Sequence, residues 1–222
     1  SLAGGAGGEV GTFNNSGTFS VGAVANAAAA ATAAIPTTNA SAFANAIGYA
    51  VFDDFALDVT NSGVMNASAT ASAANAAAAQ ATAIQAIASV GPASGTISNA
   101  GTINAFASVV GGDFSAVVVG TQTFLVATAP DTAQAVGVHV AGSQNLATVS
   151  NSGTISVSAV NDGGATVTAA TTLAAPFAPA QATGILFSGG TGFVTAATGT
   201  AVIENSGTIV ATVENAGVID FG

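Results

Sequence analysis

Long stretches of this chain alternate small apolar and small polar residues with a period of two. The clearest are Asn66-Ala67-Ser68-Ala69-Thr70-Ala71-Ser72-Ala73 and Ser156-Val157-Ser158-Ala159-Val160. In an extended strand successive side chains point to opposite faces, so Ala and Val share one face here and Ser, Thr and Asn the other. The pattern predicts strands with one buried face. The runs Ala27 to Ala31 and Ala76 to Ala79 have a helical alternative, because Ala is the best helix former. Helix caps and charged i,i+4 pairs are missing from these runs, so we read them as strand too.

A short motif, N-[SA]-G-[TV]-[IFM], punctuates the strands. Its copies are Asn15-Ser16-Gly17-Thr18-Phe19, Asn61-Ser62-Gly63-Val64-Met65, Asn99-Ala100-Gly101-Thr102-Ile103, Asn151-Ser152-Gly153-Thr154-Ile155, Asn205-Ser206-Gly207-Thr208-Ile209 and Asn215-Ala216-Gly217-Val218-Ile219. Most follow another short β-prone stretch, such as Leu57-Asp58-Val59 or Ala147-Thr148-Val149, so each unit reads as strand, corner, strand. Asn and Gly both tolerate positive φ, which a tight turn is expected to require, and the residues after the Gly start the next strand. A second phrase, A-x-A-x-G-[IV], lies between corners at Ala133 to Val138 and Ala180 to Ile185. Looser cousins run from Ala44 to Tyr49 and, without the Gly, from Gln80 to Ile84. The corner spacing is irregular, which places side insertions or loops at Val110 to Pro130 and Leu173 to Pro179. Recurrence of one supersecondary unit predicts stacking. The expected fold is all-β, a right-handed parallel β-helix (β-solenoid) with irregular loop insertions, forming a single domain over residues 1–222.

Composition sharpens this picture. Half of the 222 residues are hydrophobic (50%) and few are charged (5%), far from the signature of disorder. The apolar half is mostly Ala and Val, which suits thin stacked rungs better than a thick core. There is no Lys or Arg, and ten acidic residues give a net charge of −10. Nucleic-acid binding, which needs cations against phosphates, is excluded, and so is a polybasic membrane contact. The chain has no cysteine and needs no disulfide. Asn26 and Thr32 interrupt the most apolar tract, Ala23 to Ile35, so no membrane insertion is expected. The opening SLAGGAGGEV lacks the basic and apolar regions of a signal peptide, as expected of a mature or processed chain.

The phrases N-S-G-T-I and A-x-A-x-G-I resemble, in repeat style and over nearly the whole chain, the β-helical passenger regions of bacterial autotransporters and related large surface adhesins. The resemblance implies a secreted parallel β-helix displayed on the bacterial cell surface or released from it. That family's C-terminal membrane barrel has no counterpart in these residues. Corner motifs lie close to both ends, at Asn15 and Asn215, and no polar cap is visible over the terminal rungs. The function expected is therefore a homo-polymer: subunits joined head to tail through their terminal rungs into a filament or a surface or biofilm matrix. The alternative is a monomeric adhesin stalk with cell-surface or polysaccharide contacts. An ice-binding solenoid is disfavoured, because Thr166-Val167-Thr168 is not repeated in regular ranks.

Candidate chemistry is sparse. His139 is the sole histidine and sits in a strand-like alternation without the spacing of a nucleophilic triad, so its role is read as structural. Asp53, Asp54 and Asp58 form the densest acidic cluster. They are the candidate calcium ligands, with Asp113 and Asp162 in Gly-rich turns as further ones, although solvated turn acids are the favoured reading. Polysaccharide cleavage would want basic residues that the chain lacks, so no enzyme and no cofactor beyond calcium are expected. Glu204 and Glu214 each precede a corner Asn and are expected near one another on adjacent rungs. The corner Asn and Gly residues are the structural candidates: Asn15, Gly17, Asn61, Gly63, Asn99, Gly101, Asn151, Gly153, Asn205, Gly207, Asn215 and Gly217. Their Asn side chains are expected to stack into an internal ladder.

Overall fold

A computed structural model describes residues 2–3, 10–27, 41–52, 56–73, 76–88, 92–111, 114–119, 122–127, 132–142, 144–162, 180–189 and 200–215. Its strands are β1 (Leu2–Ala3), β2 (Val10–Asn15), β3 (Thr18–Ala27), β4 (Ser41–Phe52), β5 (Ala56–Asn61), β6 (Val64–Ala73), β7 (Ala76–Ile87), β8 (Pro92–Asn99), β9 (Thr102–Gly111), β10 (Phe114–Val119), β11 (Gln122–Ala127), β12 (Thr132–Gly142), β13 (Gln144–Asn151), β14 (Thr154–Asp162), β15 (Gln181–Gly189), β16 (Val202–Asn205) and β17 (Thr208–Asn215). The alanine run Ala76 to Ala79 opens β7 and is strand, as the missing helix caps and charge pairs predict.

Fifteen of these strands form three parallel sheets, visited in rotation. Sheet 1 has the order β16-β13-β8-β5-β2, sheet 2 the order β17-β14-β9-β6-β3, and sheet 3 the order β1-β4-β7-β12-β15. Each inner strand thus pairs with its counterpart one circuit earlier and one circuit later, and the fold is a parallel β-solenoid. One circuit advances the chain by one strand spacing, about 4.8 Å. The corner motif joins sheet 1 to sheet 2, and repeating it in register sets the pairing: Asn61 lies between Asn15 and Asn99, and Asn151 between Asn99 and Asn205. Successive Asn along this column are 46, 38, 52 and 54 residues apart. The surplus residues lie elsewhere in the circuit. Within the stretch from Val110 to Pro130, β10 and β11 form an antiparallel hairpin sheet of their own between β9 and β12.

The two-residue period sorts side chains as expected. In β6 Met65, Ala67, Ala69, Ala71 and Ala73 face the interior, and in β14 Ile155, Val157 and Ala159 do the same. Stacking turns these positions into columns, such as Met65–Ile103–Ile155 in sheet 2 and Val59–Ile97–Val149 in sheet 1, every member of which is at most 1% exposed. The second phrase marks a different feature. In β7 and the residue after it the buried positions are Ala77, Ala79, Ala81 and Ala83 and then Ile84, Ala86 and Ala88, so the alternation slips by one residue. Gly48, Ala83, Gly137 and Gly184 share this column, which explains the Gly in the phrase: a Cβ on Gly137 would lie 2.6 Å from the carbonyl oxygen of Gly184.

The corner Gly turns out to serve another purpose than the turn geometry expected of it. Among the described glycines a positive φ occurs at Gly95, inside β8, and not at the corners. Corner Gly is needed for close approach instead. A Cβ on Gly63, Gly101, Gly153 or Gly207 would lie 2.0, 2.0, 2.1 or 2.1 Å from the carbonyl oxygen of the corner Gly one rung earlier. That oxygen accepts a hydrogen bond from the residue following each Gly, as in Val64 N–H to Gly17 O at 2.8 Å. Rungs stack at backbone contact here, and any side chain would wedge them apart.

Candidate functional site

The most ordered polar feature is the corner column of asparagines. Asn15 Nδ2 donates to Asn61 Oδ1 at 2.8 Å, and Asn61 to Asn99, Asn99 to Asn151 and Asn151 to Asn205 each at 2.7 Å. Each Nδ2 also donates to a backbone carbonyl of the next rung: Asn61 to Thr102 O at 3.2 Å, Asn99 to Thr154 O at 3.2 Å. A carbonyl accepts only from the NH2 side of an amide, so these bonds fix which way every amide points. The ladder therefore has a direction, running as donors from the N-terminal rung towards the C-terminal rung. Asn61, Asn99 and Asn151 are buried, and Asn205 is exposed at the far end.

The sixth copy of the motif does not join this column. Asn215 ends β17 and pairs with Asn161 in sheet 2, one strand length away from the corner, and Gly217 lies outside the described residues. The Asn of that copy resembles the corner motif locally, but stacking register, not motif spelling, decides the column. The expected proximity of Glu204 and Glu214 is likewise corrected. They belong to the same last rung, Glu204 in sheet 1 opposite Ser150 and Glu214 in sheet 2 opposite Val160, both exposed.

The first and last described rungs differ from those between them. On the last described rung the interior columns come to the surface: Ile203 is 51%, Ile209 37% and Val213 47% exposed, whereas Val149, Ile155 and Ala159 beneath them are buried. At the N-terminal rung the same columns hold Phe13, Phe19 and Ala23, partly buried. Phe13 stacks on Tyr49 with centroids 4.4 Å apart and meets Phe19 edge-on at 5.9 Å. The Tyr49 hydroxyl is buried without a partner, and burial raises its pKa.

His139 lies on the outer side of sheet 3 between Gln85 and Leu186, and its Nε2 is 2.8 Å from Ser188 Oγ. Burial lowers its pKa. Neither register neighbour is an acid that would orient the ring, so the pair has the geometry of a satisfied structural histidine. Of the calcium candidates, Asp58 is an exposed side chain of β5 between Thr12 and Thr96, and Asp162 is exposed at the end of β14. Asp53, Asp54 and Asp113 lie outside the described residues. Among the described residues no three His, Cys, Asp or Glu side chains come together as a metal site, and no helix is long and apolar enough to cross a membrane.

The outer surface carries a second, wetter ladder that the sequence reading missed. Asn104 Nδ2 donates to Asn66 Oδ1 at 2.8 Å, and Asn66 Nδ2 to Ser20 Oγ at 2.9 Å. The signal was present as Ser20, Asn66 and Asn104 at the same offset from successive corners. Comparison with family models, with curated proteins and with solved structures gives no match.

Proposed function

We propose that this chain is an extracellular structural protein whose copies associate head to tail through their terminal rungs, forming a filament or matrix. The observation that carries this reading is the exposure of Ile203, Ile209 and Val213 on the last described rung, in columns that are buried throughout the middle of the stack. Among the described residues β16 and β17 are edge strands, and an edge strand presents a row of backbone groups that is the usual template for strand addition. Contacts that repeat in a fixed direction without closing produce an open fibre. The absence of Lys and Arg suits a surface with little affinity for nucleic acid or anionic lipid, and its lack of trypsin-type cleavage sites fits life outside a cell.

Electron microscopy of the purified chain over a range of concentrations tests the reading. Uniform filaments with an axial repeat of one subunit are expected, and dispersed short rods at every concentration would overturn it. The adhesin-stalk alternative draws on the β10–β11 hairpin, an insertion that forms a sheet apart from the three parallel ones. Short rods that bind cells or surface polysaccharide, and lose binding when residues 112–131 are deleted, would favour that alternative.

A further inference from the structure

The corner column distinguishes the two end faces chemically, and Gly17 shows what belongs next to one of them. Gly63, Gly101, Gly153 and Gly207 each need to be Gly because the carbonyl of the preceding corner occupies the place of a Cβ. At Gly17 nothing lies within 4 Å of that place, and its φ is not positive. Among the described residues nothing requires Gly there. The position is open on the side where each later corner meets the carbonyl of the corner before it.

The other end offers the matching rung. Within the stack, Ser152 and Gly153 N–H donate to Asn99 O at 2.8 and 3.1 Å, and Thr154 N–H donates to Gly101 O at 2.8 Å. Asn205 O and Gly207 O stand at the corresponding acceptor positions on the last corner, and Ser16, Gly17 and Thr18 N–H at the donor positions on the first. The side-chain ladder has the same polarity. Asn205 Oδ1 already accepts from Asn151, and its Nδ2, whose bond among the described residues is a 3.3 Å contact to Gly207 O, faces onward where the next Asn Oδ1 would stand. Asn15 is the Asn whose Nδ2 is committed inward, to Asn61 Oδ1 and Val64 O.

Building on the head-to-tail reading, we infer that a second copy of this chain docks its first corner on the last corner of another in the same register as the internal rungs. Asn205 Nδ2 donates to Asn15 Oδ1 of the next copy, and Gly17 of that copy lies against Gly207 O. The apolar columns continue across the joint, with Ile203 beneath Phe13 and Ile209 beneath Phe19. Glu204 meets the column of Asn14 and Glu214 that of Val24, so the joint brings no two of these strands' carboxylates together. With no Lys or Arg in the chain, no ion pair can guide this joint. Hydrogen-bond polarity and shape give it its direction.

Two substitutions separate the joint from the fold. Gly17→Ala places a Cβ in open space in the single chain but against Gly207 O in the joint. Asn205→Asp keeps the acceptor that Asn151 uses and replaces the onward donor by a charged acceptor facing Asn15 Oδ1. Each variant is checked for unchanged circular dichroism and melting in dilute solution, and assembly is then followed by sedimentation velocity and electron microscopy. Wild type is expected to form filaments. Each variant alone should raise the critical concentration at least about tenfold. An equimolar mixture should give heterodimers, because the intact last corner of the Gly17→Ala chain accepts the intact first corner of the Asn205→Asp chain and both outer ends are blocked. A wild-type chain that stays monomeric sinks the assembly reading and this joint with it, and then the rung that fits Gly17 is not another copy. Wild-type filaments that persist unchanged in both folded variants leave assembly standing and overturn the joint. If one variant fails to fold, the critical concentration of the other decides.

Discussion

Replacing Asn99 by Ala tests whether the buried ladder holds the corner together. Asn99 accepts from Asn61 at 2.7 Å and donates to Asn151 at 2.7 Å and to Thr154 O at 3.2 Å, and it is 3% exposed. Truncation leaves Asn151 Oδ1 without its ladder donor in a site sealed from water. Asn61 Nδ2 keeps the carbonyl of Thr102. A lost buried hydrogen bond costs about 1 kcal/mol and an orphaned buried acceptor about 1–3 more, giving roughly 2–4 kcal/mol in all. At about 2–4 °C per kcal/mol for a chain of this size, Tm should fall by roughly 5–15 °C. The control is Asn66→Ala, which removes two side-chain hydrogen bonds of similar length, 2.8 Å with Asn104 and 2.9 Å with Ser20, on the outer face of sheet 2. Water replaces both partners, so the expected loss is below about 1 kcal/mol. Melting is followed by circular dichroism at a protein concentration too low for association, which would otherwise raise Tm. Equal losses in the two variants would refute the claim that burial, and not the amide pairing itself, gives the inner ladder its strength. Asn99→Asp adds a sign. A buried carboxyl facing Asn151 Oδ1 has its folded pKa raised, so its penalty is greatest at neutral pH, and the gap to wild type should narrow as pH falls towards the ordinary Asp value near 3.9.

Other substitutions follow from the same geometry. Gly101→Ala, whose Cβ would lie 2.0 Å from Gly63 O, should cost more than about 4 kcal/mol or prevent folding, whereas Gly22→Ala, with its Cβ 3.4 Å from Ser68 Oγ, should leave Tm within a few degrees of wild type. Tyr49→Phe removes a buried hydroxyl that has no partner and should raise Tm, by an amount equivalent to about 1 kcal/mol, with the Phe13 stack retained. Burial holds His139 below the usual histidine value, so the stability it contributes is complete above about pH 6.5 and is lost as pH falls through the depressed value. Its neighbours Gln85 and Leu186 do not titrate, so His139→Gln should flatten that part of the pH–stability curve as read by urea midpoints. Chelator should leave Tm unchanged; a clear fall, abolished by replacing Asp53, Asp54 and Asp58 with Asn, would establish the calcium site.

Most of the solenoid was legible because its two signals are local. A two-residue alternation such as Asn66 to Ala73 can bury one face only as a strand, and a corner motif repeated five times in one column can stack only in parallel. The slip in sheet 3 was legible as a phrase but not as a slip. A-x-A-x-G-[IV] shows a small residue at one place, while the slip in burial from Ala83 to Ile84 depends on a backbone deviation that alternation cannot express. Asn215 shows the opposite limit. Five residues of motif say that a segment can make a corner, but Asn161, fifty-four residues earlier, holds Asn215 at the end of sheet 2. Pairing between rungs is a long-range term, and it outweighs local spelling wherever the two disagree.

The reason for the corner Gly was beyond the sequence for a related cause. Positive φ is a property of one residue and is the ordinary explanation for Asn-x-Gly. Close approach is a property of two rungs, so it appears only when Gly63 is seen against Gly17 and Gly101 against Gly63. The same pairwise view gives the ends their meaning. Asn15 and Asn205 have the same motif, and the sequence makes them equivalent. The stack makes one the start of a donor chain and the other its end, because each amide spends its acceptor on the rung before and its donor on the rung after. Among the described residues this polar column starts at Asn15 and ends at Asn205, and its apolar neighbours Ile203 and Ile209 are exposed at the same edge. Burying that edge against a rung of matching polarity satisfies the hydrogen bonds and the apolar columns together, which is why the direction of the ladder, more than the exposed area, argues for another solenoid rung as the partner.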